Sequence, residues 1–215
     1  MHENYFTPLP ESNDIALLKL VSPADLDEGV GLVCLPDTDH DLPIENLDKK
    51  CWTTGWGSLY HGGPPPNALM QASVPLVSKE RCDNAYPDRI DDSMLCAGLD
   101  EGGIDACQGD SGGPLVCEID GRWYLEGVTS WGDGCALPSK YGVYAKVRNF
   151  ISWLSRNMNS PLTESPQNHS SSVLGTNNYF LIAIIIQVFM ECNKATKQNT
   201  ARSLHLIDLF ASLHW

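Results

Sequence analysis

The chain has 215 residues, 42 % hydrophobic and 19 % charged, with a formal net charge of −13. So many apolar residues argue against a disordered chain, and the strong acidity argues against nucleic acid or an anionic membrane surface as partner. The eight cysteines include no Cys-x-x-Cys pair and accompany no histidine cluster, so they read as disulfides of an oxidising compartment, not as a zinc site.

The first residues, MHENYFTPLPESND, hold neither a basic start nor an apolar run, so they are no signal peptide. A disulfide protein needs a route to the secretory pathway, and the expectation is that the true N-terminus lies upstream. Short apolar runs then predict strands at Ile15–Leu20, Gly113–Ile119, Trp123–Val128 and Tyr141–Val147. The run Tyr60–Asn67, YHGGPPPN, is a surface loop. Many short strands between Gly and Pro turns predict an all-β barrel or sandwich. Val147, Phe150, Ile151 and Leu154 repeat at helical spacing and predict a helix over Val147–Asn157, with Asn149 as N-cap. Beyond it, residues 159–172 read as a flexible linker with one glycosylation sequon at Asn168. Tyr179–Met190, YFLIAIIIQVFM, is strongly apolar but shorter than the roughly 20 residues of a membrane span. The tail 159–215 is read as ill-defined, with membrane anchoring as the lesser alternative.

Chemistry enters at Gly103–Pro114, GIDACQGDSGGP. Ser111 sits among glycines and aspartates as a nucleophile would, but a serine hydroxyl is weak until a base takes its proton. Taken alone, Gly-Asp-Ser-Gly is a simple turn, and Asp14 in Ser-Asn-Asp is a turn or capping residue. Gly109–Pro114, GDSGGP, resembles the nucleophile motif of the chymotrypsin/trypsin family of serine proteases. Asn13–Leu18, NDIALL, resembles the segment of that family's catalytic aspartate, and Cys51–Gly57, CWTTGWG, the start of its second barrel. Ser130–Gly132 and Tyr141–Tyr144 resemble its substrate-binding strands, and all these stretches occur in family order between His2 and Met158.

The resemblance implies an all-β fold, a trypsin-like double β-barrel with a C-terminal helix, whose first barrel is mostly missing from this chain. Within a partial protease domain over 1–158, residues 1–22 would be the remnant of that barrel and 23–50 the link. Residues 51–146 would form the second barrel and 147–158 the helix. The implied activity is a serine endopeptidase that cuts after Lys or Arg through an acyl-enzyme. Ser111 would be the nucleophile. Asp14, itself bonded by Ser130, would orient a histidine. The N–H groups of Gly109 and Ser111 would form the oxyanion hole. Asp105 would sit at the base of the S1 pocket, lined further by Ser130, Trp131, Gly132 and Gly142. Asp110 would pair with the amino terminus that activation cleavage creates. The implied disulfides are Cys51–Cys117, Cys82–Cys96 and Cys107–Cys135. Cys34 would look for a partner in an activation segment that is absent here, and Cys192 has no counterpart. No cofactor is implied beyond a sodium ion, which some relatives bind where Tyr141 stands. Implied partners are Lys- or Arg-bearing protein or peptide substrates and protein protease inhibitors, and the implied setting is extracellular, as a secreted zymogen.

The departure from the family lies at the base. That histidine belongs in a Thr-Ala-Ala-His-Cys-like segment upstream of the aspartate, and none of the six histidines here stands in one. His2, His40 and His61 are expected as exposed loop residues. Without an activation terminus, Asp110 is expected to be unpaired, the oxyanion hole poorly formed, and the chain as given inactive. The alternative is a non-catalytic protease-like module that holds a basic side chain without cutting.

Overall fold

Six strands close into one antiparallel barrel in the computed structural model, which describes residues 1–18, 20, 31–36, 50–159 and 184–186. Ahead of the barrel lies β1 (Ala16–Leu18). The barrel comprises β2 (Lys50–Gly55), β3 (Met70–Val77), β4 (Met94–Ala97), β5 (Pro114–Ile119), β6 (Arg122–Trp131) and β7 (Gly142–Lys146), in the order β2-β3-β4-β7-β6-β5. Helix α1 (Lys79–Ala85) links β3 to β4, and a 3-10 turn (Val147–Phe150) leads into α2 (Ile151–Asn159).

Period-two alternation sorts the side chains. Cys51, Val74, Leu76, Ala97, Leu115, Cys117 and Tyr144 form one buried cluster across the barrel. The intervening positions face outward but are buried too, because helices cover them. Val143 packs with Tyr86 and Cys82 beneath α1, while Val116 and Ala145 pack with Phe150, Trp153 and Leu154 of the C-terminal helix. Strands buried on both faces lose the polar half of the pattern, which is why β5, β6 and β7 read as continuous apolar runs.

The expected strands at Gly113–Ile119, Trp123–Val128, Tyr141–Val147 and Ile15–Leu20 form as β5, β6, β7 and β1 with shifted ends. Periodicity does not mark β2, β3 or β4: β4 is four residues long, and β2 and β3 mix threonine, serine, glutamine and small residues with apolar ones. Nor does it mark α1, a helix too short to stand by propensity. Ser78 caps it by accepting from the Arg81 N–H at 3.3 Å, and Cys82 staples it to β4. The C-terminal helix forms, but its first turn is 3-10, and Asn149 is not its cap. The Asn149 amide instead donates to the Asp92 carbonyl.

The disulfides Cys51–Cys117, Cys82–Cys96 and Cys107–Cys135 are present. Cys51 and Cys117 are register partners on β2 and β5. Cys34 is disulfide-bonded as well. Its backbone exchanges hydrogen bonds of 2.9 Å with Trp123 and Leu125, which fixes it along β6. No helix among the described residues is long and apolar enough to cross a membrane. Most of the Tyr179–Met190 stretch lies outside the described residues; Ile184–Ile186 runs parallel to β1 as β8.

Glu126 on β6 is wholly buried, and Arg148 donates from Nε and Nη2 to its two oxygens at 2.8 Å each. The pair ties β6 to the turn that launches α2. Removing one partner strands the other's charge away from water, which costs about 3–5 kcal/mol. Arg148→Met therefore lowers stability by that amount in urea unfolding followed by tryptophan fluorescence, and an unchanged midpoint refutes this account.

Candidate active site

The loop that carries Ser111 leaves β-structure through a disulfide and two left-handed glycines. Cys107 is tied to Cys135, and Gly109 and Gly112 take φ of +97° and +79°. At Gly109 a side chain is excluded twice, by its φ and by Gly57 Cα, 3.2 Å from where a Cβ would stand. The loop is pinned by Asp110 N–H to Cys107 C=O at 2.9 Å and Gly113 N–H to Asp110 C=O at 2.8 Å. Gly112 N–H donates to Thr129 C=O, and Thr129 N–H donates back to Gly113 C=O. The N–H groups of Gly109 and Ser111 have no partner among the described residues, and the Ser111 side chain is exposed. Two donors thus stand open beside one hydroxyl.

Asp110 is not left unpaired. Its Oδ1 accepts from Gly57 N–H at 2.7 Å and its Oδ2 from Cys107 N–H at 2.9 Å. Backbone donors satisfy a carboxylate as well as a cation does in geometry, and no side-chain pattern in the sequence announces them. Gly57 makes room, because a Cβ there would lie within 2.6 Å of both carboxylate oxygens.

Asp14 is 3 % exposed and accepts from Ser130 Oγ at 2.6 Å, across 116 residues of sequence. Burial pushes its carboxyl up to about 6, against the pull of the Ser130 hydrogen bond, with Glu11 adding a further push. Ser130 follows Thr129, the residue that pins the Ser111 loop. The end of β6 thus gathers Ser111, Asp14 and Ser130 into one region.

Asp105 stands six residues before Ser111 and two before the disulfide-bonded Cys107. Its Oδ2 accepts from Ala136 N–H at 3.1 Å, while its Oδ1 is buried with no hydrogen-bond partner. Burial raises its carboxyl to about 6, opposed by the N–H groups of Ala136 and Ala106 and aided by the Asp110 charge. A Cβ on Gly142 would lie 2.6 Å from that Oδ1 and 3.1 Å from Tyr144 Oη, so glycine there leaves room for the carboxylate. A Cβ on Gly132 would meet nothing closer than 3.7 Å. Thr53 Oγ1 and Tyr144 Oη, near each other but outside hydrogen-bond geometry, are also buried and unpartnered. Sequence reasoning missed these two. The available signal was strand period, since Tyr144 stands two residues after Gly142 on β7 and Thr53 two after Cys51 on β2.

A family model for trypsin matches residues 1–154. The chain belongs to the trypsin family. Its all-β barrel, C-terminal helix and disulfides are those of a serine protease domain.

Within this trypsin-family domain, His2 and His61 are the histidines among the described residues. His2 packs on Phe150 and Trp153, at ring distances of 5.4 and 5.0 Å, so it is a packing residue and not the solvent-exposed loop residue expected. His61 lies 2.7 Å from Gln108 in an exposed pair. Neither is hydrogen-bonded to Asp14 or Ser111. His40 lies outside the described residues. Tyr141 is buried, and its hydroxyl donates to Asp100 at 2.7 Å.

The raised carboxyl of Asp14 sets a pH signature. Its folded value of about 6 exceeds the ordinary 3.8, so the ionised form is disfavoured in the fold, and stability is lost as pH rises through that window. Asp14→Asn keeps an acceptor for Ser130 and removes the charge. Its expected effect is a gain of about 2–3 kcal/mol above pH 7, shrinking to nothing near pH 4. Thermal melts of both proteins across pH 4–8 check this, and a pH-independent difference rules it out.

Proposed function

We propose that this domain is a serine endopeptidase specific for Lys and Arg, working by acyl transfer. The observation that carries the reading is the buried, unpartnered Oδ1 of Asp105 at the base of a glycine-walled slot beside Ser111. A desolvated carboxylate lacking a counter-ion is costly, and a substrate ammonium or guanidinium supplies that counter-ion.

In the proposed mechanism, Ser111 Oγ attacks the carbonyl of the residue held in the slot. A histidine takes the hydroxyl proton, and Asp14, held by Ser130, orients that imidazole. The N–H groups of Gly109 and Ser111 donate to the developing oxyanion, a contribution of about 3–4 kcal/mol for one donor in enzymes where it was removed. The leaving amine takes the proton, and water then repeats the sequence on the acyl-enzyme. These roles are those of the serine–histidine–aspartate triad, whose best-known form is this family's own. Acyl transfer of this kind draws on no cofactor. Disulfides and family membership support an extracellular setting, secretion as a zymogen, and protein protease inhibitors as partners.

A second reading applies to the chain as given, in which no described histidine stands beside Ser111: a module that holds basic side chains without cutting them. Loss of the triad histidine costs about 10⁶ in turnover. The full chain is therefore expected to bind p-aminobenzamidine, a fluorescent arginine mimic, but not to hydrolyse an arginine ester above the Ser111→Ala background. Turnover abolished by Ser111→Ala overturns the inactive reading and restores the enzyme.

The pocket itself is tested by titration of the same probe. Asp105→Asn weakens binding about 30-fold or more. Only the ionised carboxylate attracts the amidine, and burial places its protonation near pH 6. Affinity is thus level above pH 7 and falls about tenfold per unit below about pH 6. Binding that ignores both the substitution and the pH removes Asp105 from the specificity site.

A further inference from the structure

Beside Asp105, β6 ends on an edge that no strand covers among the described residues. Pairing with β5 stops at Val128, and Gly112 and Gly113 extend it only to Thr129. Ser130, Trp131 and Gly132 have no strand partner on that side among the described residues. An extended peptide with its basic residue in the slot adds along such an edge, and its upstream side chains then pass over Trp131.

Trp131 does not offer a bare indole. The Arg89 guanidinium lies 4.2 Å from its ring centroid, and Tyr86 stands edge-on at 4.8 Å beneath. The turn Tyr86–Arg89 is set locally, with Asp88 at φ +60° and Arg89 N–H donating to Tyr86 C=O. Arg89 Nη1 donates to Asp133 Oδ1 at 3.0 Å, and Lys140 Nζ donates to Asp133 Oδ2 at 3.2 Å. Lys140 also lies 4.6 Å from the Tyr86 ring centroid and donates to the Ala85 carbonyl. Two cations share one carboxylate, so the cluster is net positive on a chain of net charge −13. Arg89 keeps 48 % of its side chain exposed, and its Nε and Nη2 donors have no partner among the described residues.

We propose that Arg89, stacked on Trp131 and braced by Asp133, selects an acidic side chain two or three residues N-terminal to the basic residue in the slot. This rests on the reading of Asp105 above. The surface then presents a negative pocket followed by a positive cap, and a peptide with the reversed pattern of charge fits both. The cap also covers indole that an apolar side chain would use, so the same residue disfavours an apolar competitor.

The test is binding by the full chain of fluorescently labelled, N-acetylated peptide amides ending in Asp-Asp-Ala-Arg, Ala-Ala-Ala-Arg or Lys-Lys-Ala-Arg. Fluorescence anisotropy reads the affinity at low salt. The acidic peptide is expected to bind about three- to fivefold tighter than the alanine peptide, and the lysine peptide weaker than both, the range of an exposed charge pair. Arg89→Ala erases the order and Arg89→Glu inverts it, with p-aminobenzamidine affinity unchanged in both variants. Equal affinities for the three peptides, with the probe bound normally, overturn the proposal and leave the Asp105 reading standing. An acidic preference that survives Arg89→Ala overturns it too. Failure of p-aminobenzamidine to bind the unaltered chain refutes the Asp105 reading, and the preference falls with it.

Discussion

Taking a carboxylate out of water without a cation beside it is the constraint that organises this molecule. Asp110, Asp14 and Asp105 all lie around one loop, and each is satisfied to a different degree. Asp110 has a backbone donor on each oxygen. Asp14 has the Ser130 hydroxyl and little else, so its proton affinity rises. Asp105 has a full hydrogen bond from Ala136 N–H on one oxygen, a weaker pull from Ala106 N–H, and no hydrogen-bond partner on the other oxygen. The series runs from a carboxylate met on both oxygens, through one met by a single hydroxyl, to one with an oxygen left bare; in the proposed function the second orients an imidazole and the third takes a substrate cation. Stability is lost along the same series, as expected where function holds groups in unfavourable surroundings.

The barrel makes that arrangement tolerable. β6 touches every part of the site: Glu126 anchors it to the C-terminal turn, Thr129 pins the Ser111 loop, Ser130 holds Asp14, and Trp131 carries Arg89. Its register is set by pairing with β5 on one side and β7 on the other. A slip of one residue would send Ser130 away from Asp14 and Tyr144 away from the slot, because strand side chains alternate. Disulfides hold what the barrel cannot. Cys107–Cys135 joins the loop of Asp105 to the loop after β6, so both walls of the slot move as one.

Parts of this are legible in the residues alone. The apolar runs of β5, β6 and β7 show in the sequence because those strands are buried on both faces. Asp14, Ser111 and Asp105 show through short stretches whose residue types and order are distinctive. β2 and β3 do not show, since strands of mixed residues leave a weak period, β4 does not because four residues are too few to show one, and α1 does not because it is held by Ser78 and Cys82. His2 is not the exposed loop residue that its neighbours in sequence suggest. Its ring rests on Phe150 and Trp153, at the opposite end of the domain in sequence, and no local pattern encodes such a contact.

The sequence by itself determined the all-β class and, through short stretches in a distinctive order, the family; the three disulfide pairs followed from that resemblance and not from the spacing of the cysteines. Only the tertiary structure decided how the charges are answered. The backbone donors on Asp110, the empty oxygen of Asp105, the buried hydroxyls of Thr53 and Tyr144, and the cation laid over Trp131 all depend on distances between segments far apart in sequence. Desolvation and hydrogen bonding are properties of a place in the fold, and a residue acquires them only when the barrel closes around it.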